Sequence, residues 1–564
     1  MSAFKLYPPW AGELARKYLG KTLNQFILHG NIRDKVMMGG LKNPVFISLK
    51  DFLSHELFAS RDMVLFYDRS SGIHFRDERS LAEFRKIAPS RWPADPGRVF
   101  PLLEEFFRSR VAEHKSIACI VDFAETIVPI GETGSAGTED RNALVFLQKW
   151  SHDPLLLSAD FTLVLLSQNL SDLNRNLVQS PHNAAIEIGL PGEKERKAYI
   201  GSFCSKEEFR LISSVPADTL GRQSAGLNLI NIQGLLSGAR ENKKKLTYSS
   251  LTGNKKELIE AEAYDLLEFV DTRRKLDDVA GHRHVREHLR MAVKAIKNNR
   301  PEVMPMGYLV CGPVGTGKTY LVTCFAGEVG IPMVKLKNFR SQWQGVTEGN
   351  LEKILSLIQA MAPVAVMIDE ADAYLGKRES SGDSGVSSRV FSQIAQFMSN
   401  TENRGKIVWF LMTARPDLMP VDLKRQGRAE EHLALFPPSS QEEREELYRV
   451  MVQKTGIRLT DDQIPEAIRQ GTQSFSGADM EAALTRAMFQ ASTEGKRSVS
   501  KTILEEAFLD FIPPSYPDEI ELQTLAAIIE CTSHSLLPPG YRHADRSKLA
   551  LRLEELKRKT SLSN

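Results

Sequence analysis

The chain has 564 residues, 42% of them hydrophobic, with 73 Lys+Arg against 71 Asp+Glu. That length allows about three to four domains at roughly 150 residues each, and an ordinary apolar content excludes global disorder. A net charge of +2 excludes a strongly basic nucleic-acid arm as the organising feature.

In chain order, short apolar runs alternate with helix-like stretches, the pattern of a parallel α/β sheet with flanking helices. The first half offers strands at Met63–Tyr67 (MVLFY), Ile117–Val121 (IACIV) and Phe161–Leu166 (FTLVLL). The second half offers Gly307–Cys311 (GYLVC), Val364–Ile368 (VAVMI) and Ile407–Met412 (IVWFLM). The two halves repeat at a nearly constant offset. Asp122 and Asp369 lie 247 residues apart, Asn169 and Ala414 245, Pro191 and Pro437 246, and Arg196 and Arg444 248. The expectation is two tandem P-loop-type α/β modules, each followed by a small helical lid. Residues 1–250 would form the first module and 251–280 a helix and linker. The second α/β domain would cover 281–439, its lid 440–512, and a helical extension 513–564. Pro513 and Pro514 mark the break before that extension. The basic stretch KLALRLEELKRKTSLSN reads as a solvated helix end.

Five scattered cysteines without a CxxC pair argue against a disulfide framework or a zinc site. MSAFKLYPPW lacks the charged-then-apolar plan of a signal peptide, and no apolar run approaches the roughly 20 residues that span a bilayer. The expected setting is cytoplasmic.

Gly312, Pro313, Val314, Gly315, Thr316, Gly317, Lys318 and Thr319 spell GPVGTGKT, the complete G-x4-G-K-[ST] pattern between a strand and a helix. Its glycines let backbone N–H groups face phosphate oxygens, Lys318 supplies a point charge, and the Thr319 hydroxyl suits Mg2+. About 50 residues on, VAVMIDE puts Asp369 at a strand end to support the metal and Glu370 beside it to polarise water. The expected cofactors are ATP and Mg2+.

With these residues in place, the second module resembles the AAA family of ATPases from about Leu276 to Leu509. LDDVAG resembles the family's linker, and the resemblance implies that Asp278, Val279 and Ala280 face adenine. MTARPDLMPVDLKRQGRAEE resembles its second region of homology, which implies that Arg425 and Arg428 are arginine fingers reaching a neighbouring subunit's nucleotide. SGAD at Ser476–Asp479 resembles the lid motif, with Gly477 and Ala478 near adenine. RSQWQGVTEGNLEKIL resembles the pore-loop region, so Trp343 and Gln344 would touch substrate. A core role for Trp343 is the alternative. Glu379–Ser388 would be a second pore loop, with Arg389 beside a neighbouring subunit. Fingers acting in trans imply a closed homo-oligomeric ring, and the family suggests a hexamer.

Two departures stand out. Ala414 occupies the place where the family usually carries a water-orienting Asn, so Thr413 holds the water or hydrolysis is slow, by about 10²–10³ for one lost donor. The tetrapeptide DEAD at Asp369–Asp372 comes without other helicase motifs and is not read as a helicase box. In the first module the phosphate loop is expected after Met63–Tyr67, where DRSSGIHFRD (Asp68–Asp77) has no G-K-[ST], and Asp122 is followed by Phe123. This module is read as AAA-like and without nucleotide chemistry. His29 and Asn169 are read as structural residues. The expected function is an ATP-driven ring that remodels or unfolds protein substrates, through an adaptor or directly. The alternatives are a nucleic-acid motor or loader, and a nucleotide-gated scaffold with little turnover.

Overall fold

A computed structural model describes the chain except residues 1–6, 42, 89–91, 131–137, 264–265, 271, 299, 338–347, 376–383, 461–463, 472–474, 514–515 and 563–564. Two compact units emerge. One comprises Met1–Asp265 with Gln344–Met361, the other Leu266–Trp343 with Ala362–Asn564.

The first unit holds eight described strands: β1 (Gln25–Gly30), β2 (Lys35–Met38), β3 (Val45–Ser48), β4 (Met63–Asp68), β5 (Gly72–Phe75), β6 (Ile117–Val121), β7 (Phe161–Ser167) and β8 (Asn183–Ile188). Six of them form a sheet in the order β5-β4-β6-β7-β1-β8, parallel except for β5, while β2 and β3 pair as a separate hairpin. Successive residues feed opposite cores. Ile27, Leu65, Cys119 and Leu163 pack with helices α1 (Pro96–Ala112) and α2 (Thr138–His152), including Phe100, Phe107 and Trp150. Phe26, Leu28, Val64, Ile120 and Val164 pack on the other face. Burial on both faces explains why these strands read as continuous apolar runs. Helix α3 (Leu229–Glu241) belongs to the helical segment that follows the sheet. The helix Glu348–Ala360 also joins this unit, and its Glu352 accepts hydrogen bonds from the Ser171 hydroxyl (3.1 Å) and backbone N–H (3.4 Å).

The second unit holds β9 (Leu267–Val270), β10 (Gly307–Cys311), β11 (Met333–Leu336), β12 (Val364–Ile368), β13 (Ile407–Thr413) and β14 (Glu431–Ala434), in the order β14-β10-β13-β12-β11-β9. All pairs are parallel except β9 against β11. Helix α4 (Lys318–Val329) follows the phosphate loop, and Tyr308 stacks on Phe410 at 5.1 Å with Phe325 against both. The lid contains α5 (Gln441–Thr455), α6 (Gly477–Thr493) and α7 (Lys501–Asp510) around Tyr448, Phe475, Leu484 and Phe508. Then come α8 (Pro517–Glu530) and α9 (Arg546–Leu562).

The strand order corrects one expectation. The strand between β7 and β8 is β1, just as β10 lies between β13 and β14. The counterpart of the phosphate-loop strand is therefore Gln25–Gly30, and Met63–Asp68 corresponds to β11. A constant offset holds for the last three strands, whereas Gln25 and Gly307 lie 282 residues apart. The excess lies in the β2–β3 hairpin, β5 and their connections, which come before the landmarks that fixed the offset. Two smaller differences follow the same logic of burial. Part of the expected linker is β9, which completes the second sheet's edge. The expected solvated tail is α9, whose Leu553 and Leu556 pack on Leu522, Leu525 and Ala526 of α8. Arg196 and Arg444, two of the repeat landmarks, do the same work in each module. Arg196 Nε donates to Gly221 O (2.9 Å) and Arg444 Nε to Ile468 O (2.9 Å), each tying a lid helix to the chain about 25 residues on.

Candidate functional site

The site lies at the carboxyl ends of β10, β12 and β13. The loop begins at Gly312, whose φ of +145° and position over Leu435 O leave no room for a side chain, since a Cβ would sit 2.2 Å from that oxygen. Gly317, at φ +83°, delivers the chain into α4, so Lys318 and Thr319 open that helix. Lys318 Nζ donates to Gly312 O (2.7 Å) and Pro313 O (2.9 Å). Burial lowers its pKa, since desolvation disfavours the ammonium. Thr316 is pinned by its hydroxyl to Pro313 O (2.8 Å), and its carbonyl meets His282 Nε2 at 3.0 Å.

Thr319 Oγ1 lies 3.2 Å from Asp369 Oδ2. Glu370 has a left-handed backbone, φ +49°, and its N–H donates to Asp369 Oδ1 (3.1 Å). That turn fixes the Asp369 carboxylate while the Glu370 side chain stays exposed. Lys335 on β11 approaches Asp369 at 3.4 Å. A magnesium ion bound mainly through substrate phosphates draws only one or two oxygen ligands from the protein. The Thr319–Asp369 pair is such a donor set, and the loop's conformation fits the phosphates, so the residues present fit ATP and Mg2+.

Of the linker residues, Val279 and Ala280 are buried and Asp278 is half-buried, with its Oδ2 accepting from Lys275 N (2.7 Å). Arg286 donates to Val279 O (2.7 Å) and pairs with Glu446 of α5, which also accepts from Gly281 N (3.0 Å). Gly477 and Ala478 form the first turn of α6, capped by Ser476 and Asp479. That turn meets the loop, because a Cβ on Gly315 would lie 2.7 Å from Ser476 Cβ.

The two arginines differ. Arg425 is 61% exposed and only 3.7 Å from Asp422, whereas the Arg428 side chain is 12% exposed and donates to Asp422 O (2.8 Å). Arg428 Nε is buried without a hydrogen-bond partner among the described residues. Burial, with Arg425 adding repulsion, lowers the Arg428 pKa.

Thr413 ends β13. Its hydroxyl donates to Asp372 Oδ1 (2.6 Å) and accepts from Arg415 N (2.8 Å), and the residue is buried. Its proton is given to Asp372, so toward water the hydroxyl offers its remaining oxygen lone pair. Trp343, Gln344 and Glu379–Asp383 lie outside the described residues, and of Ser384–Arg389 only their place in the helix Ser384–Met398 is described.

His282 and Lys335 escaped the sequence reading. Each had a signal. His282 directly follows LDDVAG, and Lys335 is a lone charge in the otherwise buried strand MVKL.

The first module shows the same frame with other contents. Gly30, at φ +93°, sits under Ile188 O as Gly312 sits under Leu435 O. Phe123 has φ +52°, and its N–H donates to Asp122 Oδ1 (2.9 Å), repeating the Asp369–Glu370 turn. Here the Asp122 carboxylate is held by Arg33 (2.8 Å) and Lys50 (2.8 Å), and Arg33 also covers the Phe123 ring at 4.1 Å. The chain after Gly30 runs into β2 instead of a helix, and the Asp34 carboxylate accepts from Leu229 N (2.9 Å) and Ile230 N (3.2 Å) at the start of α3. The module's own charges thus fill the positions that face phosphate and metal in its neighbour in sequence.

Comparison with known proteins agrees with this geometry. Residues 308–436 match the family model "ATPase family associated with various cellular activities (AAA)". The second module belongs to the AAA family of ATPases. Residues 2–189 of this AAA ATPase match "AAA+ chaperone, N-terminal Rossmann-like domain", and residues 194–264 match "AAA+ chaperone, second helical domain". The two modules thus match separate family models. Among relatives, the chain is 32% identical to the cell division cycle protein 48 homolog of Archaeoglobus fulgidus over 230 residues, 39% of this chain and 31% of that protein. It is 29% identical to the ATP-dependent zinc metalloprotease FtsH 1 of Salinibacter ruber over 268 residues, 45% of this chain and 38% of that protein. It is 27% identical to the uncharacterized AAA domain-containing protein ycf46 of Trieres chinensis over 372 residues, 60% of this chain and 73% of that protein. The chain thus spans less than half the length of the first two.

Proposed function

We propose that the second module binds and hydrolyses ATP and that the protein uses this turnover to remodel protein substrates as a homo-oligomeric ring, a hexamer by family resemblance, in the cytoplasm. The observation that carries the chemistry is the Thr319–Asp369 contact at 3.2 Å beside a complete phosphate loop. Lys318 and the N–H groups of Gly315–Thr319 would hold the β- and γ-phosphates, and Thr319 and Asp369 would hold Mg2+. The bound nucleotide supplies a reactive phosphoanhydride, and Mg2+ neutralises charge on its oxygens. Glu370, exposed beside the fixed Asp369, orients and polarises the attacking water. Arg425 is the better-placed arginine finger, because its exposed guanidinium makes only a 3.7 Å pair with Asp422, while Arg428 is mostly buried and donates to the Asp422 backbone. The chaperone descriptions matched across the first unit support a protein substrate, and the likeness to a cell division cycle protein 48 homolog supports assembly into a ring. Trp343 and Gln344 remain the proposed substrate contacts.

Lys318→Ala is expected to abolish binding of a fluorescent ATP analogue, while Glu370→Gln binds it normally and does not hydrolyse ATP. An unchanged affinity in Lys318→Ala would overturn the site. A second reading, a nucleotide-gated scaffold, has its own support. Ala414 has no polar side chain, and the Thr413 hydroxyl gives its proton to Asp372. Tight ATP binding with negligible turnover in the wild type would favour it.

A further inference from the structure

The helical extension beyond the lid touches the ATP site at three separate points. Gln523 in the middle of α8 is buried, an unusual position for a glutamine. Its Oε1 accepts from the backbone N–H of Val314 in the phosphate loop at 3.1 Å. Its Nε2 donates to Glu519 Oε1 at 2.9 Å, one helical turn earlier. Glu519 in turn lies 3.7 Å from the Arg415 guanidinium. Arg415 forms a two-pronged pair with Asp417 (3.0 and 3.1 Å), which Lys557 of α9 also reaches at 3.4 Å. The Arg415 N–H donates to Thr413 Oγ1 at the end of β13. At the far end of α8, Glu530 pairs with half-buried Lys424, the residue before Arg425, and Lys424 also donates to Pro416 O (3.0 Å).

We propose that Gln523 is a positioning residue for the nucleotide and that α8 links the phosphate loop, the tip of β13 and the arginine-finger segment. The proposal rests on the ATP-site reading above. Val314 is the one residue of the GPVGTGKT loop held by α8 in the observed contacts. Its side chain is exposed, so its backbone is fixed through that N–H and not through packing. A glutamine is suited to this place because it accepts from the loop with one end and donates to Glu519 with the other. A leucine or methionine there would fill the space and leave the part-buried N–H of Val314 without its side-chain acceptor. A glutamate would accept from Val314 and repel Glu519. Exchanging the two residues restores one acceptor toward the loop and one donor between the side chains.

The experiment compares the full-length wild type, Gln523→Met and the exchanged double variant Q523E/E519Q, reading ATP and ADP affinity by titration, KM and kcat for ATP, and the melting temperature. Gln523→Met is expected to weaken affinity for both nucleotides and raise KM by roughly fivefold, the worth of about one hydrogen bond. The double variant is expected to recover most of that loss. A merely structural glutamine would lower the melting temperature and leave KM at its wild-type value, which would overturn the proposal. If Gln523→Met does not fold, Gln523→Glu, which sets a second carboxylate against Glu519, takes its place. A raised KM there that returns to the wild-type value in the double variant supports the positioning role, and a wild-type KM in folded Gln523→Glu overturns it. Absence of nucleotide binding in the wild type would instead count against the ATP-site reading itself.

Discussion

Asp122 and Asp369 end equivalent strands, precede residues with the same left-handed backbone, and accept from the next N–H in the same way. What differs is the company of the carboxylate. Asp369 faces a threonine hydroxyl and keeps an exposed glutamate beside it, while Asp122 is buried under Arg33 and Lys50. Burial disfavours the Asp122 anion, but the two cations outweigh it and hold its pKa below the ordinary carboxylate value. Its contribution to stability is therefore complete above about pH 4 and is lost as pH falls through the lower folded value. Asp122→Asn is expected to destabilise the first module by about 1–3 kcal/mol at neutral pH in urea melts. The lower part of the usual range for a broken buried pair applies because Arg33 and Lys50 are 35% and 46% exposed and regain water. The gap between wild type and variant should close on the acid side. A gap that widens there would contradict the pairing. The functional residues of the second module were legible in sequence because loop, metal and acid chemistry each demand particular residue types at fixed spacing. The engaged Thr413 hydroxyl was not, since Asp372 and Arg415 N meet it only through the fold.

At the scale of elements, both sheets were visible as apolar runs, because strands covered on both faces carry few polar residues. Their correspondence was only half visible. β6, β7 and β8 repeat in β12, β13 and β14 at a nearly fixed offset, whereas β1 escaped notice because the extra hairpin and β5 shift it. QFILHG is also more polar than the other runs, with Gln25 and His29 flanking three apolar residues. The linker hid β9 for a related reason, since an edge strand of four residues needs no long apolar signal. Packing between linker and helix gives a sharp test. Gly327 lies inside α4, where alanine would ordinarily gain about 1 kcal/mol in helix propensity. A Cβ there would lie 2.0 Å from Arg274 O and 2.2 Å from Thr272 O. Gly327→Ala is expected to lower the melting temperature, by the equivalent of about 1–3 kcal/mol, and to weaken nucleotide binding by displacing the chain that leads into Leu276–Ala280. A stabilised variant would show that the close approach does not constrain the linker.

For the whole molecule, the two units share a strand order and divide the chemistry. One keeps a phosphate loop, a metal-type donor pair and an exposed acid, and the other fills the same frame with its own ion pairs and a carboxylate at the start of α3. Among the described residues no helix is long and apolar enough to cross a membrane. The proposed action on protein substrates, with contacts at Trp343 and Gln344, calls for a functional measurement. That measurement is steady-state ATP hydrolysis by the wild type and Glu370→Gln, each alone, with an unfolded protein, and with single-stranded DNA or RNA. Turnover in the wild type that rises with unfolded protein, is indifferent to nucleic acid and disappears in Glu370→Gln is the expected result. Hydrolysis that persists in Glu370→Gln, or that responds to nucleic acid and not to protein, would contradict the assignment of the second module as a protein-directed ATPase.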